Sequence, residues 1–308
     1  MPKSDRLKVL LAAVNSGAYG TDATPTAADS IRAFDFTVSP QATRIDDTST
    51  QAFLGAGDHF LVGKNVTASF KVRLCGAGTA GDAPPYGSLL RMCGLSETIE
   101  AGVSVTYDPI SAGFEDGTLY FYRDRKRRKV VGARGTVSVV IERSSVPHLA
   151  FEMTGLYQSA ADDTLPAIDW SGWQTALPAE PANVGAFSAF GQTPILQSLT
   201  LALGNSHPFI SRVNQERVDI NDRAATGEMV IEEPDTATFD PEALAIAHTR
   251  GLVTFQHGTT AGNMVTVNAP AAQLGMPSEG ESDGTAMLTL DLSLKPSAGN
   301  DEWQLVVA

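Results

Sequence analysis

The same order of segments occurs twice along this chain, and that repetition narrows what it can fold into. In the first half the alternating stretch Val66-Thr-Ala-Ser-Phe70-Lys-Val72-Arg-Leu74 predicts a half-buried strand. A short helix, Pro84 to Gly94, follows it, then a hairpin from Leu119 to Val131 and a closing strand, Leu149 to Leu156. In the second half the strand is Thr226 to Ile231, the helix Asp240 to Thr249, the hairpin Val253 to Val267 and the closing strand Met287 to Leu294. Side-chain identity between the halves is low, so the repeat rests on element order and spacing.

Many short strands need frequent turns, and 28 glycines and 17 prolines supply them. With two short helices among them, the expected class is mostly β (α+β): two tandem sandwich or barrel units, each with one short helix packed on a sheet. The expected boundaries are residues 1–160 for a first unit with an N-terminal arm, 161–194 for a linker, and 195–308 for a second unit. A chain of 308 residues can give each unit a core. Trp170 and Trp173 predict that the linker packs along a surface. Phe34-Asp-Phe36-Thr-Val38, Val103 to Tyr107 and Val137 to Ile141 read as further strands, Gly132 to Gly135 as a turn or bulge, and Trp303 to Ala308 as a last strand or arm.

The segment Thr43 to Gly63 shows little periodicity, and a connection of about twenty residues between strands is unusually long. Phe53, Leu54, Phe60 and Leu61 argue that it docks on something. In the second half the loop Arg212 to Ala225 takes the same place and is shorter. No apolar run approaches a membrane span. Lys3 to Val14 faintly resembles a signal peptide, but the apolar stretch Val9 to Val14 is short, and a first strand or arm is the better expectation. Cys75 and Cys93 are too few for a disulfide framework, which predicts reduced thiols in a protein made in the cytoplasm, with Cys93 a small buried hydrophobe.

Charge is unevenly spread. Residues 1–160 hold 16 acids and 17 bases, and the remainder 19 acids and 5 bases. All the excess negative charge therefore lies in the second half, the opposite of what a chain that grips nucleic acid needs. One strongly basic run stands out: Arg123, Arg125, Lys126, Arg127, Arg128 and Lys129. Its two readings, a solvated hairpin tip and a contact for an acidic surface, weigh equally.

Chemistry is hard to find. The five histidines His59, His148, His207, His248 and His257 have no metal-ligand spacing, though His248 and His257 flank a strand and could meet. Nucleophile and phosphate-loop motifs are absent. The adjacent carboxylates Asp46-Asp47, Asp162-Asp163 and Glu232-Glu233 would point to opposite faces of a strand. No catalytic residue, metal or cofactor is expected, and a duplicated β-rich unit of this kind suits assembly.

Several segments together resemble the tail tube (major tail) proteins of bacteriophages with long, flexible, non-contractile tails. They are Leu61 to Leu74, Ala83 to Gly94, Val103 to Pro109, Gly117 to Tyr122, Val131 to Gly135, Phe151 to Tyr157, Leu252 to Ala269 and Gly280 to Gly284. The resemblance implies a structural virion protein whose rings stack into a β-lined channel for genome delivery. It implies trimeric, pseudo-hexameric rings, since a duplicated chain supplies two ring positions. The implied partners are further copies of the chain, the tape measure, tail tip and tail terminator proteins, and double-stranded DNA in passage, with no membrane. The long loop would reach the adjacent ring, which makes Arg44, Phe53, Leu54, His59, Phe60 and Leu61 the expected stacking residues. The acids of the second half are expected to line the channel. The alternative expectation is a two-domain binding module, an adhesin or carbohydrate binder, which would want an exposed aromatic platform.

Overall fold

The computed structural model describes residues 6–308; Lys3, at the start of the signal-like stretch, lies outside them. Strands take 51% of the chain and helices 5%, so the mostly β class with two short helices holds. β1 (Lys8–Val14) is followed by β2 (Ser30–Ile31) and a long hairpin of β3 (Ala33–Asp46) and β4 (His59–Arg73). Then come α1 (Gly87–Met92), β5 (Leu95–Glu100), β6 (Ser104–Pro109), β7 (Gly117–Arg123), β8 (Lys126–Glu142) and β9 (His148–Tyr157). β10 (Ala161–Asp162) and β11 (Val184–Ala189) fall within the stretch read as a linker. The second half holds β12 (Leu196–Ala202), β13 (Asn205–Ser206), β14 (Phe209–Arg212), β15 (Gln215–Val218), β16 (Asp222–Arg223) and β17 (Thr226–Glu232). It ends with α2 (Pro241–Ile246), β18 (Arg250–His257), β19 (Val265–Leu274), β20 (Ser278–Ser282), β21 (Thr285–Leu294) and β22 (Gln304–Val307).

The repetition seen in the sequence is a repetition of pairing. In the first half the strands pair in the order β1–β7–β8–β9–β4–β3, all antiparallel. In the second the order is β11–β18–β19–β21–β17–β12, again all antiparallel. α1 and α2 stand at the same point of each unit and have six residues each. Each ends on a left-handed residue two positions on, Gly94 (φ 73°) and His248 (φ 53°), which turns the chain out of the helix. The bulge expected near Gly132 is present, as a shift in β8–β9 register between Val131 and Arg134. Gly132 has φ 61°, and a Cβ there would meet the Tyr19 ring at 2.8 Å.

Two junctions join the units. β12 pairs with Ser138 to Glu142 of β8, beyond the point where β7 leaves it. β22 pairs with β19 on one side and with β6 of the first half on the other. One contiguous cluster of buried apolar side chains therefore runs through both halves, where size alone had suggested a core for each. Trp303, at the entry to β22, is fully buried in it. Trp173 is also buried, donating its indole N–H to the Ser30 carbonyl at 3.0 Å and packing on Tyr86. The two thiols are buried as well, and burial pushes the Cys75 thiol up to about 11.

The two loops differ from expectation. The two ends of the segment Thr43 to Gly63 are strand: β3 and β4 stay paired out to Asp46↔His59, which narrows the loop to residues 47–58. Both faces of this ribbon meet solvent, so the hydrophobic alternation that marks a half-buried strand is lost. The second loop is also not shorter. The unbroken register of the sheet ends at Gln41↔Asn65 in the first unit, beyond which β3 and β4 pair with a shift, and at Ala202↔Thr226 in the second. The projecting arms, residues 42–64 and 203–225, are therefore equal in length.

Candidate functional site

The junction β8–β12 makes one continuous antiparallel sheet of eight strands, β3–β4–β9–β8–β12–β17–β21–β20. Its inner face carries the core residues, such as Phe70, Phe151, Val139, Leu201, Met229 and Leu290. Its other face is set by the same registers and is rich in small hydroxyl residues. One row reads Thr37, Ser69, Glu152, Thr136. A second reads Lys71, Ala150, Ser138, Ala202, Thr226, Ser293. A third ends in Glu228 opposite Asp291, both exposed. Like charges facing each other across a ladder destabilise a sheet. With Glu232, further along β17 on the same side as Glu228, that pair makes the acidic part of the face on the second unit. Several other second-half acids lie away from this face. Glu233, Asp235 and Glu242 surround α2, while Glu279 and Glu281 alternate onto the opposite side of β20.

Both ends of this sheet are open. Among the described residues β3 pairs only with β4, and β20 only with β21. The backbone groups along each free edge are a template for another strand.

The first arm is an amphipathic ribbon. Ile45 lies opposite Phe60 and Thr43 opposite Val62, which puts all four on one side. Ile45, Phe60 and Val62 are 51%, 58% and 42% exposed. The other side carries Arg44 opposite Leu61 and Asp46 opposite His59, with Arg44 paired to Asp46. Phe53 and Leu54, at the tip, are largely exposed. Of the expected stacking residues, Phe60 belongs to the apolar side, and Arg44, Leu61 and His59 to the other. Ile45 and Val62 were missed; Val62 stands two residues from Phe60, the spacing of one strand face, whereas Ile45 joins them only through the β3–β4 register.

The second arm is the same element in a different state. It lies on the first unit, with Val218 and Ile220 buried. Arg134 of β8 donates to the Val218 carbonyl at 2.9 Å, and the Val218 N–H donates to the Tyr19 hydroxyl at 2.7 Å. The Asn205 side chain donates to the carbonyls of Cys93 and Gly135. Arg223 forms a largely buried ion pair with Glu302 and donates to the Ile110 carbonyl at 2.8 Å.

The basic run forms the β7–β8 hairpin with its turn at Asp124 and Arg125. Arg127 is held by Asp163 at 2.6 Å and sits over the Tyr120 ring. Lys129 is held by Asp22 at 2.6 Å, and Tyr120 donates to the same carboxylate. Partial burial works against the Asp22 charge, but these bonds hold its carboxyl below the ordinary value. Arg125 and Lys126 are exposed at the tip, while Arg123 and Arg128 line a cleft with Lys8 and Phe36. Part of the run is thus neutralised within its own chain.

The histidines are dispersed. His248 and His257 lie at opposite ends of β18 and do not meet. His148 packs on Phe34, and His207 stands near Thr67 and Glu152. Among the described residues no group of three or more His, Cys, Asp or Glu side chains is arranged to hold a metal ion. The tryptophans form no broad open platform: Trp173 and Trp303 are buried, and Trp170 packs edge-on against Trp173. No protein-family model matches this chain, and no curated protein shows significant similarity to it.

Proposed function

We propose that this protein is a structural subunit of a phage tail tube, assembling as trimeric rings that stack into a channel for DNA. The observation that carries the reading is the continuous eight-stranded sheet with two open edges and a face of small hydroxyl side chains. Open edges find partners most cheaply on copies of the same sheet, and a ring of sheets leaves none exposed. A wall of Ser and Thr, with Glu228 and Asp291 and few bases, offers passing phosphates little to hold and leaves their counterions in place. Two units per chain supply two ring positions, so three chains make a pseudo-hexamer. The exposure of the tip residues Phe53 and Leu54 supports a role in contacting the next ring. Tape measure, tail tip and terminator proteins would set length and ends. Electron microscopy of the concentrated protein, alone and with tail-tip complexes, tests this. Rings or hollow tubes are expected; persistent monomers in both conditions would overturn it.

A further inference from the structure

The chain contains one unit-to-unit junction already made, and both halves of a second one left open. In the junction that is made, β12 lies along β8 in a set register: Ala202 opposite Ser138, Thr200 opposite Val140, Ser198 opposite Glu142. The arm that follows β12 folds over the end of α1 and the Gly135 region of β8. The repeat gives each of these parts a counterpart. At one end Gln41↔Asn65, the last pair before the register shift into the arm, matches Ala202↔Thr226, and at the other Val140↔His148 matches Ser282↔Thr285, the last pair of each ladder; the unbroken β4–β9 and β17–β21 ladders keep the same spacing between the two ends. β3 therefore corresponds to β12, and β20 to the far part of β8.

We infer that a second copy of the chain lays its β3 along the free edge of β20, repeating the internal β8–β12 junction between chains. The register follows from the correspondence: Ser39 of one copy faces Ser282 of the next, and Gln41 faces Gly280. The ladder is one donor short. In the internal junction the N–H of Leu203 donates to Val137, so the N–H groups of alternate residues Leu201 and Leu199 point the same way. Their counterparts are Pro40 and Val38, and Pro40 has no N–H. Its carbonyl still accepts from Glu281, while Val38 and Ala42 donate.

The arm then has a seat. In the first unit the arm of the second covers the end of α1. In the second unit the matching surface, the end of α2 and the stretch before β20, exposes Ile246 and Met276 at 63% and 61%. The ribbon side formed by Ile45, Phe60 and Val62 is the apolar surface that fits it. The base of the first arm thus works within a ring, leaving only its tip, residues 47–58, to reach beyond. This deepens the tube reading and rests on it only for closure of the ring.

The test is a cysteine pair. Within one chain Ser39 and Ser282 lie on opposite edges of the sheet, on the order of 30 Å apart along it at the usual strand spacing. The double variant Ser39→Cys/Ser282→Cys can close a disulfide only between copies. Mild oxidation of the concentrated protein should move most chains into covalent dimers and larger species. The off-register pair Ser39→Cys/Ser278→Cys should leave them monomeric. Thr200→Cys/Val140→Cys should close within the chain at any concentration, which verifies folding and the template. A closed control with no cross-linking by the Ser39/Ser282 pair overturns the inference, whether the protein assembles or not. Hollow tubes without that cross-link would sink this junction alone; cross-linked rings that never stack would sink the tube reading and keep the junction.

Discussion

His257 is buried, with Nε2 bonded to the Leu177 carbonyl at 3.2 Å and Nδ1 without a partner. Burial holds its pKa below the ordinary histidine value, against a smaller opposing pull from that carbonyl. The unfolded chain therefore takes up this proton at a higher pH than the folded one. Stability from the neutral ring is complete above the unfolded value of 6.5 and is lost as pH falls toward the folded one. His257→Gln should make the loss of stability on acidification shallower, read as urea midpoints through that range; an unchanged slope would refute the assignment. Glu228 and Asp291 act in the other direction. Asp291→Asn removes a like-charge pair and should stabilise the monomer by roughly 0.2–1 kcal/mol. It should also raise retention of double-stranded DNA on assembled protein. A loss of stability in thermal unfolding would show that the pair is compensated.

At the scale of the element, the two arms invite comparison because they are equal in length and differ in surroundings. The seated arm buries Val218 and Ile220; the free one leaves Ile45, Phe60 and Val62 in water. Replacing Ile45 and Phe60 together by Ser touches little in the monomer, so its stability should change by no more than about 0.5 kcal/mol. Assembly should be lost, as read by sedimentation; wild-type assembly in this variant would remove the arm from the interface. The arms also mark where the sequence stops being legible. β4 from Val66 onward, β9 and β17 could be read because one face of each is buried and the alternation survives. The ribbon Gln41 to Asp46 has no buried face, and its pattern reads as loop. α1 and α2 were legible from their apolar spacing and from Pro241. The β8–β12 junction was not, because nothing local in Ser138 to Glu142 says which distant strand lies beside it.

For the whole molecule, the repeat matters more than either unit. A symmetric pair of units would leave two identical arms and a choice of partners. Here one arm is held by its own chain through Arg134, Asn205 and Arg223, so only the other is offered outward. In the proposed assembly this would set the polarity before two copies meet. The sequence carried that repeat in its element order, and the excess acid of the second half was visible too. The fate of that acid was not, since a net charge does not say which side of a strand bears it.

β22 has a consequence of its own. It fills the gap between β19 and β6, and Val307 lies opposite Val105 about two hundred residues earlier in the chain. The β5–β6 hairpin has no other strand beside it among the described residues. During synthesis it must therefore wait, one edge unsatisfied, while the entire second unit emerges. Completion of the first unit is in this sense a proofreading step. A chain interrupted before Trp303 would keep both a raw edge at β6 and an empty socket where Trp303 belongs, and would be marked as unfinished by its own exposed backbone.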